Sequence, residues 1–134
     1  MISRREAREQ AFILIFEKMF NSDEIENLVE LAKESLEIEI DDYAVSTAQG
    51  VYEKLEEIDP EIEKYCKGRK LTRLSKTVLA LLRLSVYEIK FVDEVDAAVS
   101  INEAVELAKK YSGNEEAGYI NGVLGSFVRA GEMR

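Results

Sequence analysis

The chain has 134 residues, 46% of them hydrophobic, with a single proline. That is enough apolar material for one compact core and too much for a disordered segment. There is no histidine and one cysteine, Cys66, and the formal net charge is −9. The usual metal and nucleophile sites, an intramolecular disulfide and a histidine acid/base are therefore excluded. The charged N-terminus MISRREAREQ lacks the apolar run of a signal peptide, so a cytoplasmic location is expected. The charge is unevenly placed: residues 1–20 carry +1, 21–63 carry −13, 64–90 carry +7 and 91–134 carry −4. Either the basic block presents a positive face or the two large blocks attract each other.

Abundant Glu, Leu, Ala, Lys and Ile with few β-branched or aromatic clusters predict an all-α protein forming a single domain over 1–134. Ser3-Arg4-Arg5-Glu6 reads as a capping box that opens a helix over about 4–20. Asp23 to Glu26 repeats the signature before a helix ending near Leu36, with Ile25, Leu28, Val29 and Ala32 on one face. Asp41 or Asp42 opens a third helix, whose stripe runs from Ala44 to Ile58 and stops at Asp59-Pro60. Pro60 then starts a short fourth helix that Gly68 ends.

The stretch Leu74–Val92 is apolar on most sides between Thr77 and Leu84, which predicts a buried central helix with Ser75 as its cap. Arg83, Glu88 and Lys90 inside the run argue against a bilayer span, because an ionised group at the membrane centre costs about 2.5 kcal/mol or more. Ser100-Ile101-Asn102-Glu103 reads as another capping box, with Val99 and Ala104 as its staple, predicting a sixth helix over about 101–111. Gly113 stops it, and Asn114 caps a seventh helix over about 115–130.

Three features call for more than a solvated surface. Arg4, Arg5 and Arg8 crowd the positive end of the first helix, where arginine forks and free N–H groups suit phosphate. Gly122 and Gly125 lie inside the last helix, where each costs about 1 kcal/mol against alanine, so a neighbouring helix or a ligand is expected close by. Tyr119 sits one position off the inward stripe, either as a stacking platform for single-stranded bases or as a boundary tyrosine with a wet hydroxyl.

Four stretches together, Arg4-Arg5-x-x-Arg8-Glu9, Leu82-Arg83-Leu84-x-x-Tyr87-Glu88, Ile101 to Tyr111 and Asn121-Gly122-Val123-Leu124, resemble the NusB family of transcription antitermination factors. The resemblance runs through nearly the whole chain in order. It implies about seven helices in two small packed bundles around the buried central helix, with no catalysis, no cofactor, no metal and no small-molecule substrate. It further implies binding of single-stranded boxA RNA together with the ribosomal protein NusE, within an antitermination complex of RNA polymerase. By position it assigns RNA contact to Arg4, Arg5, Arg8 and Tyr119, joined by Arg73 and Lys76 of the basic segment, and NusE contact to Phe16 and Glu88. Glu6 and Gly118 stand where the family often has basic residues, which lowers the expected RNA affinity of the isolated protein. Two other readings remain: a helical protein–protein adaptor using the acidic segment 21–63, and a NusB-like domain acting with a separate RNA-modifying enzyme.

Overall fold

The computed structural model describes residues 2–20, 22–36 and 38–132. Among them are seven α-helices and no strand: α1 (Arg4–Lys18), α2 (Ile25–Leu36), α3 (Asp42–Glu53), α4 (Leu55–Lys64), α5 (Lys76–Phe91), α6 (Ala97–Tyr111) and α7 (Asn114–Glu132), with a 3₁₀ turn at Leu71–Arg73. The all-α expectation holds. None of these helices is long and apolar enough to cross a membrane.

The starts of three helices follow local chemistry. The Ser3 hydroxyl accepts from the Glu6 amide while the Glu6 carboxylate accepts from the Ser3 amide, completing the expected box on α1. Asp41 caps α3 through the Tyr43 amide, and Ser75 caps α5 through the Val78 amide. Helix α5 touches α1, α3, α4, α6 and α7. Its Ala80, Leu81 and Leu82 are wholly enclosed, and each leucine buried in this way contributes about 1.5–3 kcal/mol.

Four expectations are corrected. The third helix does not run to Pro60: α3 stops at Glu53, Lys54 departs from helical geometry, and Pro60 lies inside α4. Pro60 is exposed, so the carbonyl that its missing N–H leaves unpaired can turn to water. Helix α6 begins at Ala97, a turn before the expected box, so Ser100 is not a cap but a buried residue within the helix, and Val99 is exposed. Asn114 is the first residue of α7, and the Gly113 carbonyl before it accepts from the Ala117 amide. Gly113, at φ +141, makes the turn between α6 and α7 that a side chain would strain. Finally, no helix crowds Gly122 or Gly125. A Cβ at Gly122 would meet nothing within 4 Å, and one at Gly125 would meet only the Arg129 side chain. Close approach of helices occurs instead at Gly50 of α3, where a Cβ would fall 2.1 Å from the Tyr87 hydroxyl of α5.

Candidate nucleic-acid and partner interface

The three N-terminal arginines have three different environments. Arg8 shares a face of α1 with Ala11, Phe12 and Ile15, all buried, and its side chain is only 4% exposed. There it meets Glu88 of α5, whose side chain is fully enclosed: the Arg8 Nε lies 3.0 and 2.9 Å from the two carboxylate oxygens. The carboxylate also accepts from the Tyr43 hydroxyl at 2.5 Å and from the Ser100 hydroxyl at 2.8 Å, and Ser85 joins Ser100 at 2.9 Å. A buried carboxylate requires a cation and hydroxyl donors around it, and α1, α3 and α6 supply them.

Two assignments change as a result. Arg8 is enclosed and offers no edge to a phosphate, and Glu88, at 0% exposure, offers no surface to a partner protein. Both charges face inward because each lies on the apolar stripe of its helix. Burial and the adjoining Glu88 carboxylate push the Tyr43 phenol up to about 12, while Thr47 and Arg8 act the other way.

Arg5 is open to solvent, its side chain 70% exposed, but its Nε is held 3.0 Å from Glu103 of α6. Glu103 also lies 3.7 Å from an Arg8 nitrogen, so one carboxylate bridges two arginines. Arg4 is exposed and forms no ion pair among the described residues; its guanidinium carbon lies 3.8 Å from the centre of the Tyr43 ring.

The other expected RNA-contacting residues stand elsewhere. Arg73 and Lys76 are exposed around the start of α5. Lys76 is twelve residues from Glu88 on that helix, about 18 Å along its axis. Arg73 and Tyr119 line a cleft of about 300 Å³ with Arg69, Ser75, Glu115 and Glu116. Arg69 stands over the Tyr119 ring at 5.1 Å. The Tyr119 hydroxyl is buried and has no hydrogen-bond partner among the described residues, and burial pushes it up to about 12. A neighbouring Cys66 thiol acts in the same direction without reaching hydrogen-bond geometry. The expected wet hydroxyl is therefore absent. What the cleft offers is an aromatic face shared with a guanidinium, cations for phosphate and carboxylates that can accept from the N–H groups of a base.

Phe16, the other expected partner-facing residue, is half-buried between Phe12 and Phe20, with ring centres 6.1 and 5.0 Å away. Phe20 is 62% exposed. Sequence reasoning missed Tyr43, Ser100 and Glu103 as members of this region. An acidic residue inside the most apolar helix was the available signal, because a buried charge needs partners.

The NusB family model matches residues 5–129. The transcription antitermination protein NusB of Acetivibrio thermocellus is 43% identical over 130 residues, spanning 96% of this chain and 90% of its own. That of Clostridium botulinum (strain Kyoto) is 41% identical over 143 residues, spanning 95% of this chain and all of its own. Among solved structures, the fold is similar to T. maritima NusB, with TM-score 0.82, 29% identity, and coverage of 96% of this chain and 92% of that one. It is also similar to a chain of the antitermination factors NusB and NusE in complex with dsRNA, with TM-score 0.84, 28% identity, and coverage of 95% and 96%. Likeness of sequence and of fold along nearly the whole length point the same way, and this chain belongs to the NusB family.

Proposed function

We propose that this protein is a transcription antitermination factor that binds the boxA element of nascent ribosomal RNA transcripts together with NusE, promoting read-through by RNA polymerase. The carrying observation is the near-complete superposition on a chain solved with NusE and RNA, joined to about 40% identity with antitermination proteins. The role is one of binding, in keeping with membership of a family of antitermination factors.

Arg4 and Arg5 form one phosphate-contacting group, and Arg73 and Lys76 with Tyr119 form a second. Arg5 is already partly neutralised by Glu103 at its Nε, so Arg4 is the readier contact. The partner surface is the aromatic end of α1, where the Phe16 and Phe20 rings meet at a tilt of 60°. Titration of labelled single-stranded boxA RNA at two salt concentrations, with and without NusE, tests the reading. NusE should tighten RNA binding, and RNA should tighten NusE binding by the same factor. In the wild-type complex the log–log salt slope should exceed that of Arg73→Ala/Lys76→Ala by about 1.4 if both residues contact phosphate. RNA affinities with and without NusE that agree within about threefold would refute the cooperative function. An unchanged slope would refute the second contact group.

A further inference from the structure

Tyr43 connects the buried charge cluster to Arg4, the one of the three N-terminal arginines that forms no ion pair among the described residues. Its hydroxyl donates to the enclosed Glu88 carboxylate at 2.5 Å, which fixes the outer end of the ring. The amide of Tyr43 donates to the Asp41 side chain at 2.8 Å, fixing the backbone at the start of α3. A ring held at both ends cannot swing away from its neighbours. The Arg4 guanidinium lies against its face, 3.8 Å from the centre.

Stacking on an aromatic face occupies a guanidinium's flat side and leaves the in-plane N–H groups directed outward, the geometry that binds phosphate oxygens in pairs. An ion pair has the opposite effect. Arg5 and Arg8 each have the Nε held on a carboxylate, Glu103 and Glu88, whereas Arg4 is restrained with no donor so engaged among the described residues. Ordering a long side chain in advance lowers the entropy cost of using it in a complex. Glu88 is the anchor of this arrangement, since it holds both Arg8 and the Tyr43 hydroxyl.

We infer that Tyr43 is a positioning residue for RNA recognition: fastened to Glu88, it presents the Arg4 guanidinium edge-outward to a phosphate. The inference rests on the RNA-binding role proposed above. Tyr43 need not touch RNA itself. Its contribution must therefore pass through Arg4, which distinguishes it from a residue that merely supports the fold.

The test is a double-mutant cycle between positions 4 and 43, read as affinity for a single-stranded boxA oligoribonucleotide. Arg4→Ala should weaken binding, and Tyr43→Leu should weaken it by about twofold to fivefold, the range expected of a cation–π contact at an exposed site. In the Tyr43→Leu background Arg4→Ala should add little, and Tyr43→Phe, which keeps the aromatic face but loses the bond to Glu88, should restore only part of the dependence on Arg4. An equal factor for Arg4→Ala in both backgrounds would overturn the positioning role while leaving RNA binding intact. No effect of Arg4→Ala in the wild type would overturn the RNA role of Arg4 and this inference with it. A second measurement does not depend on any variant folding: the Arg4 δ-methylene protons of the wild-type protein should be displaced upfield by the ring current of Tyr43, and ordinary arginine shifts there would overturn the proposal.

Discussion

Replacing Arg8 with methionine isolates the buried ion pair, because methionine retains most of the apolar stem and removes the charged head. The Glu88 carboxylate would then be left with the Tyr43 and Ser100 hydroxyls alone in a site of 0% exposure. Removing one partner of a buried pair costs about 3–5 kcal/mol, since the remaining charge is uncompensated. With an unfolding entropy of about 2.1 cal/mol/K per residue, that corresponds to a fall in melting temperature of about 10–18 °C. Circular dichroism at 222 nm during heating and in urea measures it. Arg8→Met/Glu88→Leu removes both charges together and should cost about 1–3 kcal/mol less than the sum of the single changes. An Arg8→Met protein within about 1 kcal/mol of wild type, or strict additivity in the double variant, would refute the argument that this pair holds α1 to α5.

Gly50→Ala should cost about 1–3 kcal/mol, because the new methyl group overlaps the Tyr87 ring. The cost should shrink in a Tyr87→Ala background, and an undiminished cost in denaturant titration would contradict the contact. Glu103→Gln should raise RNA affinity by about twofold to fivefold by freeing Arg5, the range of an exposed ion pair; unchanged or weaker binding would count against Arg5. Stability should fall as pH rises from about 10 to about 12. Tyr43 and Tyr119 hold their protons up to about 12 when folded, whereas an unfolded chain releases them near 10, so unfolding releases protons in that window. Tyr43→Phe should make the urea midpoint less steep with pH there, and identical slopes would show that Tyr43 is not the group responsible.

The parts of the fold written in local pattern were readable from the residues alone. The nearly uninterrupted apolar run of α5 announced its central place, and the Ser3–Glu6 box marked the start of α1. Ser100 carries the same local signature. Its hydroxyl turns instead to Glu88, twelve positions earlier in the chain, and Asp96 takes the cap position. A cap motif cannot disclose a competing partner on another helix. The break at Lys54 was hidden because the apolar spacing continues through it. Arg8 is a different case. Its spacing to Ala11, Phe12 and Ile15 placed it on the buried face, but the affinity of arginine for phosphate outweighed that pattern. Glu88 likewise follows Leu81, Leu84 and Ser85 on the inner stripe of α5. That each was turned inward could be read from periodicity; that the two meet across eighty residues of chain could not.

These placements alter where the positive face of an acidic protein must lie. Within 64–90, Lys64 pairs with Glu61, Arg83 with Asp59, and Lys90 lies near the Phe91 ring. Lys67, Arg69, Lys70, Arg73 and Lys76 remain exposed, with Arg69 over Tyr119. They gather before and at the positive end of the α5 dipole, where the free amides of the first turn add to the field. Phosphates beside this cluster are attracted at short range, while at long range the net charge of −9 repels them. The balance depends on the Debye length, about 8 Å at physiological salt and about 30 Å at 0.01 M. Lowering salt strengthens contact attraction and far-field repulsion together, so the free protein should gain less from low salt than its exposed cations would suggest. A basic partner on the aromatic end of α1 would cancel part of the far field without touching the cluster, which supplies a physical reason for RNA and partner to bind cooperatively through separate surfaces.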